Sequence, residues 1–512
     1  MTDKPGMAWP NMSGNRLLGI VIALVIAHRA FLIAAHDFVI NDGALFLVFV
    51  QSIARGFPYL PQTVEFNGLT IPFAYPPLGF WLGALLTKLG ASAVGVIKVM
   101  PIILSLIYTL LFALLLRRSG RSAAFAAIAL LFFALNQRSF EWLIMGGGMS
   151  RSLGAVFLIS ALIAIRIPEG GKRLPPLPVW PEALAGLAVG GAILSHLEWG
   201  LNAAAAVILS GALGSPTLRN FVRSMFVSGT VALLTILPWL AVVLHENGTG
   251  PFLAASGSGR WEISAFLNQI FGIVMTCLTN PLFPLGIVIA VRTKRLFWPL
   301  FFLLCLFLTP RHGYTPAALP MAVLSAQGLF WLAERLGSGL KERAIIAVAM
   351  ALVLIAPLTQ NFLAMGKAVR PLNKDEIAAM TWVRKNHANE AFFVLSNLPW
   401  WSDRSAEWFP FLTGAHSVNT VQGREWLPDN QFARWFAADK ILKSRPPKLA
   451  KKPSEAVKLR RMCTRLHKGI DRYEPTRFIW VQWGYPCFNS SRFRLVHHSG
   501  KVLIYERVTP AA

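Results

Sequence analysis

The chain has 512 residues, 54% of them hydrophobic and 14% charged, with a net charge of +25. A soluble domain carries about 25% charged residues, so this composition excludes a soluble enzyme and a disordered or fibrous chain. Apolar runs of about 20 residues point instead to a polytopic α-helical membrane protein. The positive charge does not argue for nucleic acid. Over the first two-thirds of the chain it sits in short loops between apolar runs, the pattern that orients membrane proteins.

Run length predicts about eleven spans, near 17–36, 96–116, 122–136, 150–166, 182–196, 199–214, 222–244, 271–291, 296–309, 316–332 and 344–362. With the N-terminus inside, alternate loops collect the basic residues. These are Lys4 and Arg16; Arg117, Arg118 and Arg121; Arg166, Lys172 and Arg173; Arg219 and Arg223; Arg292, Lys294 and Arg295; and Arg335, Lys341 and Arg343. One register satisfies every loop and leaves the C-terminus outside. The first span carries His28 and Arg29 and lacks a small-x-small cleavage site, so it reads as a retained helix.

The segment 37–95 then forms the first outer loop. Residues 43–56 read as a short helix lying on the membrane surface. Residues 76–86 read as a re-entrant or interfacial helix, because a further crossing would place Arg117, Arg118 and Arg121 outside. Residues 1–362 are thus expected as the membrane domain and 363–512 as an extracytoplasmic α/β domain. The latter has strand-like runs at 391–396, 478–483 and 501–506 and helical runs near 374–387 and 454–468. Its Lys-rich stretch 440–461 is either a solvated face or a patch for anionic head groups or polysaccharide. Cys463 and Cys487 both fall there, compatible with a disulfide in an oxidising compartment. Cys277 and Cys305 sit in apolar spans as packing.

Ionisable residues at membrane depth are functional candidates, and they gather on the outer side. Asp37 and Asp42 follow the first span. Glu141 and Arg151 flank Met-Gly-Gly-Gly-Met-Ser-Arg (145–151). His196 and Glu198 lie in Ser-His-Leu-Glu-Trp (195–199). Arg311, His312 and Tyr314 lie in 309–316. Each has a plainer reading. Asp42 fits the N-cap of the helix beside it, Arg151 an interfacial cation, and Gly146 to Gly148 a tight turn. Arg311, Arg151 and His312 suit a phosphate clamp, since Arg offers a planar fork of donors. No metal is expected; Asp42, His196 and Glu198 are the alternative set should a divalent cation bind. Trp199, Trp401 and Trp426 are either sugar-stacking or interface-anchoring residues.

The first 120 residues resemble the GT-C superfamily of membrane glycosyltransferases, of the lipid A aminoarabinose transferase and protein O-mannosyltransferase type. The features stand in order: one span, Ile-Asn-Asp-Gly-Ala (40–44), a helix ending in Ala-Arg-Gly-Phe-Pro-Tyr-Leu-Pro (54–61), Phe-Ala-Tyr-Pro-Pro-Leu-Gly-Phe-Trp-Leu (73–82), and Lys98 before a span closing at 116–121. A departure is Gly43, where members often carry Glu. The resemblance implies a GT-C-like fold in a bacterial plasma membrane, with the site on the extracytoplasmic side. It implies a polyprenyl-phosphate sugar donor, an acceptor glycan, lipid or protein, inversion at the anomeric carbon, and Asp42 as catalytic base. Arg311, Arg151 and His312 would bind the donor phosphate; His196, Glu198, Tyr314, Glu141 and Tyr75 would bind substrate. The competing readings are a lipid or sugar transporter and a non-catalytic partner that binds lipid-linked sugar.

Overall fold

The computed structural model describes residues 13–35, 41–145, 147–168, 178–258, 263–309, 313–336, 351, 355, 359, 372–396, 403–428, 431–442, 453–472, 476–482, 486–488 and 492–508. The expected span 344–362 therefore lies largely outside the described residues, and Asp37 and Trp401 wholly so.

Helix α1 (Gly14–Ala35) leads to α2 (Gly43–Gly56), a hairpin of β1 (Thr63–Phe66) and β2 (Leu69–Pro72), and α3 (Leu78–Lys88). The hairpin turns on Asn67-Gly68, both with positive φ, the pair that two-residue turns favour. The helices that follow are α4 (Ala93–Arg118), α5 (Ala123–Leu135), α6 (Glu141–Ile144), α7 (Gly148–Ala164), α8 (Val179–Ser195), α9 (Leu197–Gly214) and α10 (Leu218–Asn247). After these come α11 (Gly250–Ser258), α12 (Ile263–Thr279), α13 (Leu282–Arg292), α14 (Phe297–Leu308) and α15 (Tyr314–Leu336). Hydroxyl N-caps start α4, α5 and α10: Ser92, Ser122 and Thr217 accept from the N–H three residues on. Small residues let backbones meet. A Cβ at Gly286 of α13 would strike the Leu324 backbone of α15, and one at Gly328 would strike the Leu282 backbone of α13.

Among the described residues, five helices are long and apolar enough to cross a membrane, or seven if each of two bent pairs is one span. The sequence reading expects about eleven spans, one of them, 344–362, largely outside the described residues; local features bend or shorten several of the others. The run 271–291 breaks at Asn280-Pro281 with a 98° bend, since Pro removes an N–H and disfavours helix at the residue before it. The run 122–136 ends at Leu135; Asn136 accepts from the Arg138 N–H and opens a new turn, bending the path by 88°. Helices α7, α8 and α14 have 17, 17 and 12 residues, short of the roughly 20 a full crossing needs.

Helix α2, expected on the membrane surface, is enclosed by protein. Leu45, Phe46, Leu47, Phe49, Val50 and Ile53 are all buried, packed with Phe80 of α3 and within one cluster that includes residues of the C-terminal region. The cause is a five-stranded sheet region seated against this part of the chain. Its elements are α16 (Lys374–Asn386), β3 (Ala391–Leu395), α17 (Arg404–Thr413), β4 (His416–Ser417), α18 (Gln431–Leu442), α19 (Pro453–Arg472), β5 (Phe478–Gln482), β6 (Phe493–Ser499) and β7 (Val502–Arg507). The strand order is β4-β3-β5-β7-β6, with β3 parallel to β4 and β5, and β7 antiparallel to β5 and β6. Every residue of β5 is buried, as a strand covered on both faces requires. A Cys463–Cys487 disulfide ties α19 to the turn after β5. The Asn67 side chain donates to Ser417 O and accepts from Ser417 N–H, which pins the β1–β2 hairpin to the sheet region.

Candidate functional site

The site is built on the turn that enters α2. Asn41 and Asp42 both hold left-handed backbone, with φ of 67° and 77°. That costs an L-residue about 1–2 kcal/mol, least for Asn and Asp, and strain of this kind collects at functional sites. Asp42 occupies the N-cap position of α2, yet its side chain makes no cap hydrogen bond. The plain capping role expected as the alternative is therefore not what its carboxylate does.

The helix N-terminus is served from elsewhere. Glu407, on α17, accepts the Asn41 N–H at 2.6 Å with Oε2 and the Gly43 N–H at 2.5 Å with Oε1. The Ala44 N–H also acts on it. On the other side, Asn41 O accepts the Gly147 N–H at 2.6 Å. The turn is thus clamped between α17 and the start of α7. Glu407 is wholly buried. Burial pushes its carboxyl well above the usual range and the Asp42 charge adds to this, while the three main-chain N–H groups pull it back.

Released from capping, the Asp42 carboxylate faces Arg151, with Oδ2 3.8 Å from Nη2. Both side chains stay partly open, at 20% and 11% exposure, so they border a cleft. The guanidinium lies 5.3 Å from the centre of the Trp142 ring, and its Nε and Nη1 are buried without a hydrogen-bond partner. Gly147 makes room for it, since a Cβ there would come within 2.6 Å of Arg151 Cζ. Beside Arg151 is a small pocket lined also by Trp142, Glu198, Trp199, Asn202, Thr309, Thr315 and Pro316. Arg311 and His312 lie outside the described residues; Thr309 and Thr315, on either side of them in the sequence, border this pocket.

Tyr75 forms another wall. Its ring centre is 5.3 Å from that of Trp426 and 6.3 Å from that of His196. Burial raises its phenol well above the ordinary value; Arg151 opposes this, and Asp42, Glu425 and Glu198 add to it. These charges therefore share one neighbourhood. Two further buried polar atoms here, Nδ1 of His196 and Nε1 of Trp426, have no hydrogen-bond partner. His196 adopts extended backbone between α8 and α9, which breaks the helical path there.

Of the residues singled out in the sequence, Asp42, Tyr75, Arg151, His196 and Glu198 come together. Glu141 opens α6 one residue before Trp142. Tyr314 does not join them: its hydroxyl donates to Gln269 O at 2.7 Å, in a helix contact against Gly272 of α12. Trp199 packs on Tyr108 as well as lining the pocket. Among the described residues, no group of three or more His, Cys, Asp or Glu is placed to hold a metal ion, so Asp42, His196 and Glu198 do not meet on one ion. Glu407 and Glu425 were missed. Glu407 stands in an apolar run, Ala-Glu-Trp-Phe-Pro-Phe-Leu (406–412); an acid in such surroundings was the available signal.

No family model matches the sequence, and no curated protein does. Solved structures share its fold. The archaeal oligosaccharyltransferase AglB from Archaeoglobus fulgidus, tethered with an acceptor peptide, matches with a TM-score of 0.57 at 16% identity, over 92% of this chain and 69% of that one. The same enzyme with an inhibitory peptide and a dolichol-phosphate gives 0.55 at 15% identity, over the same shares. ArnT from Cupriavidus metallidurans, bound to undecaprenyl phosphate, gives 0.50 at 13% identity, over 97% of this chain and 99% of that one. These are GT-C superfamily glycosyltransferases, so the resemblance in the first 120 residues extends, as fold, along nearly the whole chain.

Proposed function

We propose that this protein is an inverting glycosyltransferase that moves a sugar from a polyprenyl-phosphate donor to an extracytoplasmic acceptor, with Asp42 as the base. The observation that carries this reading is the Asp42–Arg151 pair. A carboxylate is relieved of its capping duty and set in a cleft 3.8 Å from a cation with spare donors. The GT-C-type fold supports the reaction class.

The acceptor hydroxyl or amine attacks the anomeric carbon, and the bond from that carbon to the phosphate oxygen breaks. Asp42 takes the acceptor's proton, and polyprenyl phosphate leaves. Positioned proton transfer of this kind contributes roughly 10²–10⁴-fold. The leaving group is an anion as it departs, so the site needs cations more than an acid. Arg151 meets it with Nε and Nη1, and Arg311 and His312 complete the phosphate site. Tyr75, His196, Glu198 and Glu141 bind sugar or acceptor hydroxyls, and Trp426 with Tyr75 offers an aromatic wall for a sugar face. The chain works in a bacterial plasma membrane as two parts, 1–362 spanning it and 363–512 outside. The Cys463–Cys487 disulfide supports that side, since disulfides persist in oxidising compartments.

The test is Asp42→Asn in membranes carrying lipid-linked donors. Loss of transfer by about 10²-fold or more at normal protein level is expected. Full transfer by this variant would sink the base assignment; no transfer by wild type or variant would favour a transporter or a non-catalytic binding partner.

A further inference from the structure

We infer that Glu407 is a positioning residue: held by the sheet region, it takes over the capping of α2 and so keeps the Asp42 carboxylate turned into the cleft. This rests on the reading of Asp42 as base.

Asp42 and Glu407 both reach the start of α2, where the Ala44 N–H is within the range of either. Asp is among the preferred N-cap residues, its carboxylate accepting from the second or third N–H of the helix, and the helix dipole draws a negative group there. Left alone, Asp42 would fold back onto the start of α2 and be occupied. It does not: its backbone is left-handed, with φ of 77°, and Glu407 already bears on the N–H of Ala44, the second residue of the helix, while holding the Asn41 and Gly43 N–H groups beside it. With the cap filled, Asp42 faces Arg151.

Glu407 is itself fixed by its surroundings. The α17 helix that carries it begins at Asp403, whose side chain accepts the Ala406 N–H at 3.0 Å. Beside it, Ser405 donates to Glu376, which also accepts from Gln482 of β5. Thr420 donates to Ala406 O at 2.5 Å. The buried polar network thus runs from β5 through α16 to the residue before Ala406. A wholly buried acid in this setting delivers its two oxygens to the turn with little freedom to move. The arrangement also makes the site incomplete without the C-terminal region.

The measurement is hydrogen–deuterium exchange of the full chain in detergent, followed in peptides spanning 41–47, with turnover of a panel of short-chain polyprenyl-phosphate sugars. Glu407→Ala is expected to speed exchange across 41–47 on the order of tenfold, with α9 and α15 unchanged. The kcat should fall about 10²-fold, as misplacement of a catalytic group does, at unchanged KM. The Asp42→Asn/Glu407→Ala double variant should be no slower than Asp42→Asn alone. Glu407→Gln, which keeps one accepting oxygen, should fall between wild type and Glu407→Ala on both readouts, and it serves if Glu407→Ala does not fold. Unchanged exchange at 41–47 would overturn the inference, as would additive losses in the double variant. If Asp42→Asn keeps its full rate while Glu407→Ala loosens the turn, the base assignment fails and Glu407 still holds the turn.

Discussion

Glu407 accepts the Gly43 N–H at 2.5 Å although 364 residues separate the two in the chain. A helix start in the first loop is thereby finished by a side chain from the C-terminal region. Asp42, at the position that would normally do this, makes no cap hydrogen bond and faces Arg151 across the cleft.

Arg151 is the described cation best placed for a phosphate, with two guanidinium nitrogens unpartnered. Arg151→Ala is expected to lower transfer about 10²-fold, and native mass spectrometry should show weaker retention of undecaprenyl phosphate. Arg151→Lys should rescue little, since an ammonium is a point charge without the planar fork. Full rescue by Lys would mean that charge alone matters.

Adjacent glycines should separate function from stability. A Cβ at Gly147 meets the far end of Arg151, a group that can swing away. Gly147→Ala should therefore leave stability within about 1 kcal/mol and depress activity by displacing the guanidinium. A Cβ at Gly148 meets the Leu143 carbonyl, which cannot yield. Gly148→Ala should cost about 1–3 kcal/mol, read as a lower Tm. The reverse order in the two thermal scans would refute this.

The raised pKa of Glu407 carries a sign. Folded, its carboxyl stands above the ordinary 4.5, so above that pH the folded state keeps a proton the unfolded state has lost. Stability from this group therefore falls as pH rises from about 4.5 toward the folded value and is level beyond it. Thermal unfolding of wild type against Glu407→Gln between pH 5 and pH 8 should show the wild type losing ground as pH rises. Asp42→Asn should soften the trend, because the Asp42 charge contributes to the shift. A difference independent of pH would contradict the direction.

Residues 463 and 487 are 24 apart in sequence, so the chain-entropy model puts loss of their bridge at about 3 kcal/mol of sheet-region stability. Cys463→Ser should lower the Tm of the full chain and loosen α19 in hydrogen exchange. Identical scans with and without reductant would show that the bridge contributes nothing.

Much of the plan can be read from local pattern. Composition places the chain in a membrane, and the runs at 391–396, 478–483 and 501–506 match β3, β5 and β7, because strand periodicity and β-branched or aromatic content are short-range signals. Asp42, Arg151, His196 and Glu198 could be named because each is polar in an apolar setting, and Tyr75 through the segment 73–82 that carries the family resemblance. Less legible were the break at Asn280-Pro281, the burial of α2 and the separate engagement of Tyr314 with Gln269. Hydropathy alone does not say whether an apolar face meets lipid or protein.

The sequence by itself determined that the chain is apolar and largely helical, with a sheet-bearing C-terminal region, since these follow from residue type and spacing along the chain. Only the tertiary structure decided what Asp42 does. Whether a carboxylate caps its own helix or turns toward another partner depends on backbone conformation and on whether another acceptor meets those N–H groups first. Here that acceptor, Glu407, arrives from the far end of the chain, and hydrogen-bond competition between groups so distant in sequence leaves no local trace.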